Sequence, residues 1–440
     1  MIINFSVSNF GPIKDEVTLS FEADKSTNLE NYYVYEPIKG IRLLKIALIY
    51  GSNASGKSTV IEALNFFRDL VLNPLEKKTE TIKYTPFLLD KDTIEGDSSF
   101  KLNFITANTR YHYEVVFNKK AIKKEVLYKY NSNKPSIVYK RISDIEKQIT
   151  KIEKTGKDFL NKDSVTALEN ATLWNNTVLG GFLKTNVEST ILKDIVHWFD
   201  RKLKPMIAPK TDLYGYVSSK IEKGEIHKSN VTTLLKKADL MIDSILFEKE
   251  EIPLDDEMIE AITKITTNIP EKEIEEIKTK KKFVSTKVAF IHKTDTVSCK
   301  LDYTDESLGT QRFYQLCGIL DLLIRTECIF PIDEIENSLH PDLLEHFLRI
   351  YLANAKKSQL IVTTHYRELL MNREILRNDA IWFTEKKKNG STDLFCLDDF
   401  DSSVVRDTSS IYNAYKIGKL GAKPNLGDYY IDLENDEEDK

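Results

Sequence analysis

Apolar and polar positions alternate along residues 2–22, with Ile3, Phe5 and Val7 on one face, a turn at Gly11-Pro12, then Val17, Leu19 and Phe21. A period of two is that of a half-buried strand, so the pattern predicts a hairpin. At Ile46 to Tyr50 alternation gives way to an unbroken apolar run, which suits a strand covered on both faces. From Thr59 to Leu70 the apolar positions Val60, Ile61, Leu64, Phe67 and Leu70 return at helical spacing. Three more strand-like runs, SFKLNFITA, YHYEVVFN and IKKEVLYKY, lie between residues 99 and 130 and predict an antiparallel sheet beside the strand-helix core.

From Arg141 to Lys282 the alternation fades into charged segments with helical spacing. Ile142, Ile145 and Ile149 make one stripe and Ile191, Ile195, Trp198 and Phe199 another, so a helical insertion is predicted. Its end, Glu271 to Lys282 (EKEIEEIKTKKK), has too few apolar positions to pack and reads as a solvated helical arm. Strand character returns at Phe283–Lys293 and Val297–Tyr303. A helix from Ser307, a strand ending at Asp333, a helix from Pro341, the strand Gln359–Thr364 and a strand at Ala380–Glu385 follow. Such alternation predicts an α/β fold with a parallel sheet covered on both faces. The expected division is a head formed by residues 1–140 and 283–427, an insertion at 141–282, and an acidic tail at 428–440 without fixed structure. Pro331 lacks the N–H a central strand uses, so a local irregularity is expected there.

Composition narrows the function classes. A chain of 440 residues with 41% hydrophobic residues buries a full core, and a net charge of -5 gives no global attraction for nucleic acid. No apolar run reaches the ~18 residues of a membrane span, and the first residues lack a signal-peptide profile. A cytoplasmic protein without a membrane partner is expected. Cys299, Cys317, Cys328 and Cys396 show no C-x-x-C spacing, which points to reduced core thiols.

The chemistry centres on Gly51-Ser52-Asn53-Ala54-Ser55-Gly56-Lys57-Ser58, which fits G-x-x-x-x-G-K-[ST] between a strand and a helix. The two glycines let successive N–H groups turn toward a phosphate at the positive end of the helix. Lys57 would reach the outer phosphates and Ser58 would hold Mg²⁺. Downstream, an apolar strand delivers Asp333 and Glu334 at its carboxyl end, where ligands collect in parallel sheets. Asp333 would hold the metal and Glu334 would activate water. Ser307 is placed to cap a helix, and His365 ends the strand that starts near Gln359.

The order of these segments resembles the nucleotide-binding domains of the ABC ATPase class used by SMC, Rad50 and RecF proteins. More closely, the chain is similar to prokaryotic AAA15/AAA21-type ATPases, which are ABC-like and include relatives of the OLD family. The resemblance rests on NFGPI, GSNASGKST, YTPF at Tyr84 to Phe87, ESLGTQRF, IDEIENSLHP, VTTHYRELL, AIWFTEK and AYKIGKLGAKP, and not on the insertion. It implies an ABC-type P-loop NTPase head, a mixed sheet with an antiparallel β-subdomain, and ATP with Mg²⁺ as ligands. Gly51 to Thr59 would bind the nucleotide, Ser58 and Asp333 the metal. Lys57, Glu334 and His365 would act in catalysis, Glu334 as base and His365 as the switch histidine. Ser307, Gly309 and Thr310 would contact ATP held by a second copy, and Ser338 to His340 would lie between the two sites. A head-to-tail dimer or higher homo-oligomer follows.

Two departures stand out. The signature reads Ser-Leu-Gly-Thr-Gln, and no glutamine precedes Gln148, so Tyr84 to Asp90 occupies the place of the usual Q-loop. Proteins of this kind commonly act in bacterial anti-phage defence as sensors that control a toxic effector. Lys416 to Lys440 leaves no room for a nuclease domain, so a separately encoded effector, such as a nuclease, is expected. DNA or a phage-derived molecule would be the trigger. The rival reading is a DNA-repair or DNA-tethering ATPase, for which Lys119-Lys120, Lys123-Lys124, Lys280 to Lys282 and Lys386 to Lys388 supply basic runs.

Overall fold

The computed structural model describes the chain except residues 132–133, 158, 239, 260–274, 276–278, 280, 401–409, 419 and 421–440. The acidic tail and most of the arm at 271–282 lie outside the described residues. The chain divides into two compact units. One comprises Met1–Pro209, Thr326–Ile335 and Leu352–Lys440, the other Lys210–Arg325 and Glu336–Tyr351.

The first unit holds β1 (Ile2–Ser8), β2 (Val17–Ser20), β3 (Val34–Ile38), β4 (Ile41–Leu44), β5 (Ile46–Gly51), β6 (Ser98–Thr106), β7 (Thr109–Phe117), β8 (Ile122–Asn131), β9 (Lys134–Asp144) and β10 (Ile149–Thr155). The second holds β11 (Ile242–Pro253), β12 (Lys282–Lys293) and β13 (Ser298–Asp302). The first unit is completed by β14 (Ile329–Ile332), β15 (Gln359–Thr363), β16 (Ile381–Lys386) and β17 (Thr392–Cys396). The helices that matter below are α1 (Lys57–Leu72), α2 (Lys162–Ala171), α3 (Thr190–His197), α4 (Tyr214–Glu222), α5 (Lys228–Lys236), α6 (Leu308–Arg325) and α7 (Pro341–Asn354).

Two sheets organise the first unit. One runs β14-β15-β5-β16-β17, parallel except for the final antiparallel pair. Every residue of β5 is buried, as its unbroken apolar run requires. The other sheet is antiparallel, in the order β10-β9-β8-β7-β6-β1-β2. Helix α1 packs on both sheets. Its Phe67 stacks on Tyr113 at 5.3 Å and 11° and meets Phe5 and Phe100, so the helix that leaves the P-loop is anchored in an aromatic core. Just before β5, Lys45 is 3% exposed and donates to the carbonyls of Leu352 and Ala355 at 2.9 and 2.7 Å. Burial pulls its ammonium down to about 8.

In the second unit β11, β12 and β13 form their own antiparallel sheet. Helix α6 carries a long buried face, including Phe313, Leu316, Ile319 and Leu320. Gly318 admits Val217 of α4, whose methyl carbon lies 2.5 Å from where a Cβ would stand. Any larger residue at Gly318 would push the two helices apart.

The structure corrects several expectations. Ile142, Ile145 and Ile149 are not a helical stripe, because β9 and β10 form a hairpin in which Ile142 pairs with Lys151. Ile145 and Ile149 are 46% and 50% exposed, so the helical spacing of the three isoleucines is coincidental. The turn between the strands is set locally: Asp144 accepts from the Lys147 N–H at 3.0 Å, and Gln148 adopts φ 55°. Helices do follow in α2, α3, α4 and α5, and of the second stripe Ile195, Trp198 and Phe199 are fully buried while Ile191 is half-buried. Strand β11 was hidden in a charged stretch, so residues 141–282 are of mixed and not purely helical character. Strands β12 and β13 pair with β11 and not with the parallel sheet.

No irregularity occurs at Pro331. The β14–β15 register runs unbroken from Ile329↔Gln359 to Ile332↔Val362. The Pro331 carbonyl accepts from the Ile207 N–H at 2.9 Å, which turns the side of Pro331 that lacks a donor away from β15. On that flank the chain makes only isolated bridges, Leu203↔Ile329 and Ile207↔Ile332. All four cysteines are free. Cys317, Cys328 and Cys396 are buried, while Cys299 is exposed and not a core thiol.

Candidate functional site

Parallel strands deliver their carboxyl ends to one edge, and β5, β15 and β14 end there in adjacent register. The loop from Gly51 to Gly56 leaves β5, with Ala54 at φ 60° and Gly56 at φ 97°. Positive φ at two positions so close together turns backbone N–H groups to one side and makes an anion nest. Space is closed behind the loop. A Cβ on Gly51 would stand 2.3 Å from Thr384 Oγ1 and 2.8 Å from its carbonyl, and one on Gly56 would stand 2.3 Å from Thr392 Oγ1. Ser55 is wholly buried and shares a 2.6 Å hydrogen bond with Thr384, while Thr392 donates to the Ser55 carbonyl at 2.9 Å. Thr384 and Thr392 thus brace the loop from β16 and β17. Sequence reasoning missed both, because nothing local marks a strand threonine as a loop support.

Lys57 and Ser58 open α1. The Lys57 ammonium donates to the Gly51 and Ser52 carbonyls, both at 3.0 Å, and its side chain is mostly buried. Ser58 Oγ donates to Asp333 Oδ1 at 2.9 Å, which joins the P-loop to the acidic strand end. Thr59 is buried and Asn53 exposed. Asp333 is 6% exposed, and Glu334 follows at φ 46°. That backbone is costly for a residue with a Cβ and is held by its surroundings. Thr363, at the end of β15, accepts from the Glu334 N–H at 2.8 Å and donates to Asp333 Oδ1 at 2.5 Å. His365 Nε2 stands 3.7 Å from Glu334 Oε1, both side chains being partly exposed. The structure therefore gathers Lys57, Ser58, Asp333, Glu334 and His365 at one edge of the first unit.

The segments around this edge interlock. Asn9 is buried, accepts from the Phe87 N–H at 2.9 Å and donates to the Thr93 carbonyl at 2.8 Å. The Gly11 N–H donates to the Thr85 carbonyl at 2.8 Å, and Thr392 N–H to the Pro12 carbonyl at 2.8 Å. A Cβ on Gly11 would come within 3.1 Å of Thr59. The Tyr84 to Asp90 stretch is thereby fixed to the N-terminal turn beside the start of α1.

Ser307, Gly309 and Thr310 lie in the second unit. Ser307 caps α6, its Oγ accepting from the Thr310 N–H at 3.1 Å. Thr310 is buried and its hydroxyl is bonded to Ser307 Oγ at 2.9 Å, so its side chain is turned into the cap. Leu308 is 73% exposed. The Ser338 carbonyl lies 3.2 Å from where a Cβ on Gly309 would stand, and Ser338 has φ 63°. The loop Ser338 to His340 thus runs against the glycine of the capped turn. An 18-residue helix opening on an exposed serine and a glycine offers N–H groups to an anion.

The donor set fits a nucleoside triphosphate with a divalent cation: a nest in which Gly51 and Gly56 leave no room for a side chain, one ammonium, one hydroxyl beside one carboxylate, and a second carboxylate at strained backbone. The family model described as "AAA domain, putative AbiEii toxin, Type IV TA system" matches residues 46–372. No curated protein matches the chain. Solved structures similar to it include the SMC head domain from Thermotoga maritima, at 11% identity and TM-score 0.37, covering 90% of this chain and 98% of that one. Another is the SmcHead bound to the C-winged helix domain of ScpA, at 11% identity and TM-score 0.41, covering 90% and 97%. A third is the Smc head domain with an extended coiled coil bound to the C-terminal domain of ScpA derived from Pyrococcus furiosus, at 12% identity and TM-score 0.38, covering 96% and 99%.

Proposed function

Since the chain belongs to the AAA_21 family, we propose that it is an ABC-like P-loop ATPase that hydrolyses ATP between two copies of itself and controls a separately encoded effector in a prokaryotic anti-phage defence system. The observation that carries the ATPase reading is the 2.9 Å bond from Ser58 Oγ to Asp333 Oδ1, which unites the phosphate loop and the acidic strand end in one site. On this reading residues 1–140 and 283–427 serve as the head and 141–282 as its insertion.

Each residue has a defined task. The N–H groups from Ser52 to Thr59 bind the phosphates, and the Lys57 ammonium exchanges its bonds to Gly51 and Ser52 for phosphate oxygens. Mg²⁺, held by Ser58 and Asp333, would neutralise charge on the outer phosphates. Glu334 accepts a proton from the attacking water, and His365 beside it donates a hydrogen bond toward the terminal phosphate. Ser307 and Gly309 of a second copy close the site, with Thr310 holding Ser307 in position. The oligomeric form would then be read by the effector, expected to be a nuclease, with DNA or a phage-derived molecule as the trigger.

Glu334→Gln keeps the shape and removes the base. It is expected to bind ATP, to turn it over at least ~100-fold more slowly, and to accumulate as an ATP-dependent assembly in size-exclusion chromatography. Unchanged turnover removes Glu334 as base. Purification with the genomic neighbour tests the regulatory half: absence of both co-elution and any change in the neighbour's activity contradicts it.

A further inference from the structure

We propose that Thr363 is the positioning residue that holds the metal-binding and water-activating carboxylates in register, through one hydroxyl shared between Asp333 and Glu334. The inference rests on the ATPase reading above. Thr363 is fully buried at the end of β15, between the strand that delivers the P-loop and the strand that delivers the acids. A hydroxyl has one proton and two lone pairs, and here the main positions are assigned. The proton goes to Asp333 Oδ1 at 2.5 Å, and a lone pair takes the Glu334 N–H at 2.8 Å. The Thr363 carbonyl accepts from the Ile335 N–H at 3.2 Å, so one residue grips three consecutive residues of the acidic turn.

The arrangement has two consequences. Ser58 and Thr363 both donate to the same carboxylate oxygen, Oδ1, and Oδ2 takes part in neither bond. The orientation of the Asp333 carboxylate is therefore set by two hydroxyls on separate elements, α1 and β15. Glu334 at φ 46° is also held in its unfavourable backbone by a bond that only a side-chain acceptor at position 363 supplies. Two residues further on, His365 stands 3.7 Å from the Glu334 carboxylate, so any shift at the end of β15 moves acid and histidine together. Groups that orient metal ligands in this way typically govern metal affinity or activity by ~10–100-fold.

The test compares Thr363→Val, which keeps the shape and removes the hydroxyl, with Thr363→Ser, which restores it. Thr363→Val is expected to keep wild-type ATP affinity in EDTA, to lose most of the affinity gained on adding Mg²⁺, and to lower kcat by ~10–100-fold with little change in KM. Thr363→Ser is expected to recover both the Mg²⁺-dependent binding and the turnover. Should the valine variant not fold, Thr363→Cys, a weak donor of similar size, takes its place with an intermediate loss expected. Wild-type Mg²⁺-dependent binding and kcat in Thr363→Val overturn the proposal, as does a serine variant as impaired as the valine one, since packing and not the hydroxyl would then matter. Glu334→Gln is measured alongside. If the wild-type protein itself does not hydrolyse ATP the ATPase reading fails, whereas slow Glu334→Gln beside normal Thr363→Val sinks the inference alone.

Discussion

Lys57→Ala is expected to lose ATP binding by at least ~100-fold, the worth of two charge-assisted hydrogen bonds at ~1.5–3 kcal/mol each. The side chain is nearly buried, and its ammonium lies against the two carbonyls at the mouth of the loop, 3.0 Å from each. It is the cation the site can bring to the triphosphate, and no other group of the loop carries charge. Structure should survive the change, because the loop is braced from behind by Thr384 and Thr392 and not by Lys57. Titration with a fluorescent ATP analogue, with a thermal unfolding midpoint as control, reads the result. Tight binding by a folded Lys57→Ala protein contradicts the P-loop assignment.

Arg141→Met is expected to cost about 3–5 kcal/mol of stability, the usual penalty for removing one partner of a buried ion pair. Both Arg141 and Glu125 are fully buried in the antiparallel sheet, with 3.8 Å between Arg141 Nε and Glu125 Oε2. The guanidinium donates to the carbonyls of Trp174 and Asn176 at 3.2 and 2.8 Å and to Thr150 Oγ1 at 3.2 Å, which ties the sheet to the segment following α2. Glu125 accepts from the Tyr113 and Tyr139 hydroxyls at 2.7 and 2.6 Å and from the Val178 N–H at 2.8 Å. Burial pushes the Glu125 carboxyl up, and the Arg141 charge opposes that rise. Without Arg141 the carboxyl rises further. A carboxyl whose pKa is raised by folding stabilises the protein below its unfolded value, and that stability is lost as pH climbs through the folded value. The deficit of Arg141→Met relative to wild type should therefore be smallest in acid and grow with pH. Glu125→Gln combined with Arg141→Met should recover part of it. Urea midpoints across pH measure both effects, and a pH-independent deficit contradicts the account.

How much of this was legible in the sequence differs by kind of signal. The P-loop is a local chemical pattern in which glycine, lysine and serine must sit at fixed spacing, so Gly51 to Ser58 announces itself. The apolar run before Asp333 and the run of β5 are equally plain, because parallel strands buried on both faces leave no alternation to misread. Thr363 gave no signal: its meaning depends on β15 lying between β5 and β14, a strand order that no local spacing encodes. The same holds for Thr384 and Thr392, whose partner Ser55 lies far off in the chain, while Glu125 and Arg141 face each other across the β8–β9 hairpin and nothing local marks the two charges as buried. Ile142, Ile145 and Ile149 misled because three isoleucines fit helical spacing while two of them face solvent in a hairpin. Strand β11, carrying Glu248, Lys249, Glu250 and Glu251, reads as a charged helix until its ladder with β12 is seen.

The central claim is that one nucleotide is held by the P-loop of one copy and by Ser307 and Gly309 of another. It is tested most directly by mixing two inactive variants. Lys57→Ala lacks the P-loop lysine but keeps its capped helix, and Ser307→Arg keeps its P-loop but blocks the cap. Each alone should be unable to hydrolyse ATP. Mixed before ATP is added, they form pairs in which the Ser307→Arg P-loop faces an intact Ser307 on the Lys57→Ala copy, and turnover is expected to reappear. A mixture as inactive as its components, with both proteins folded and able to associate, would contradict the shared site.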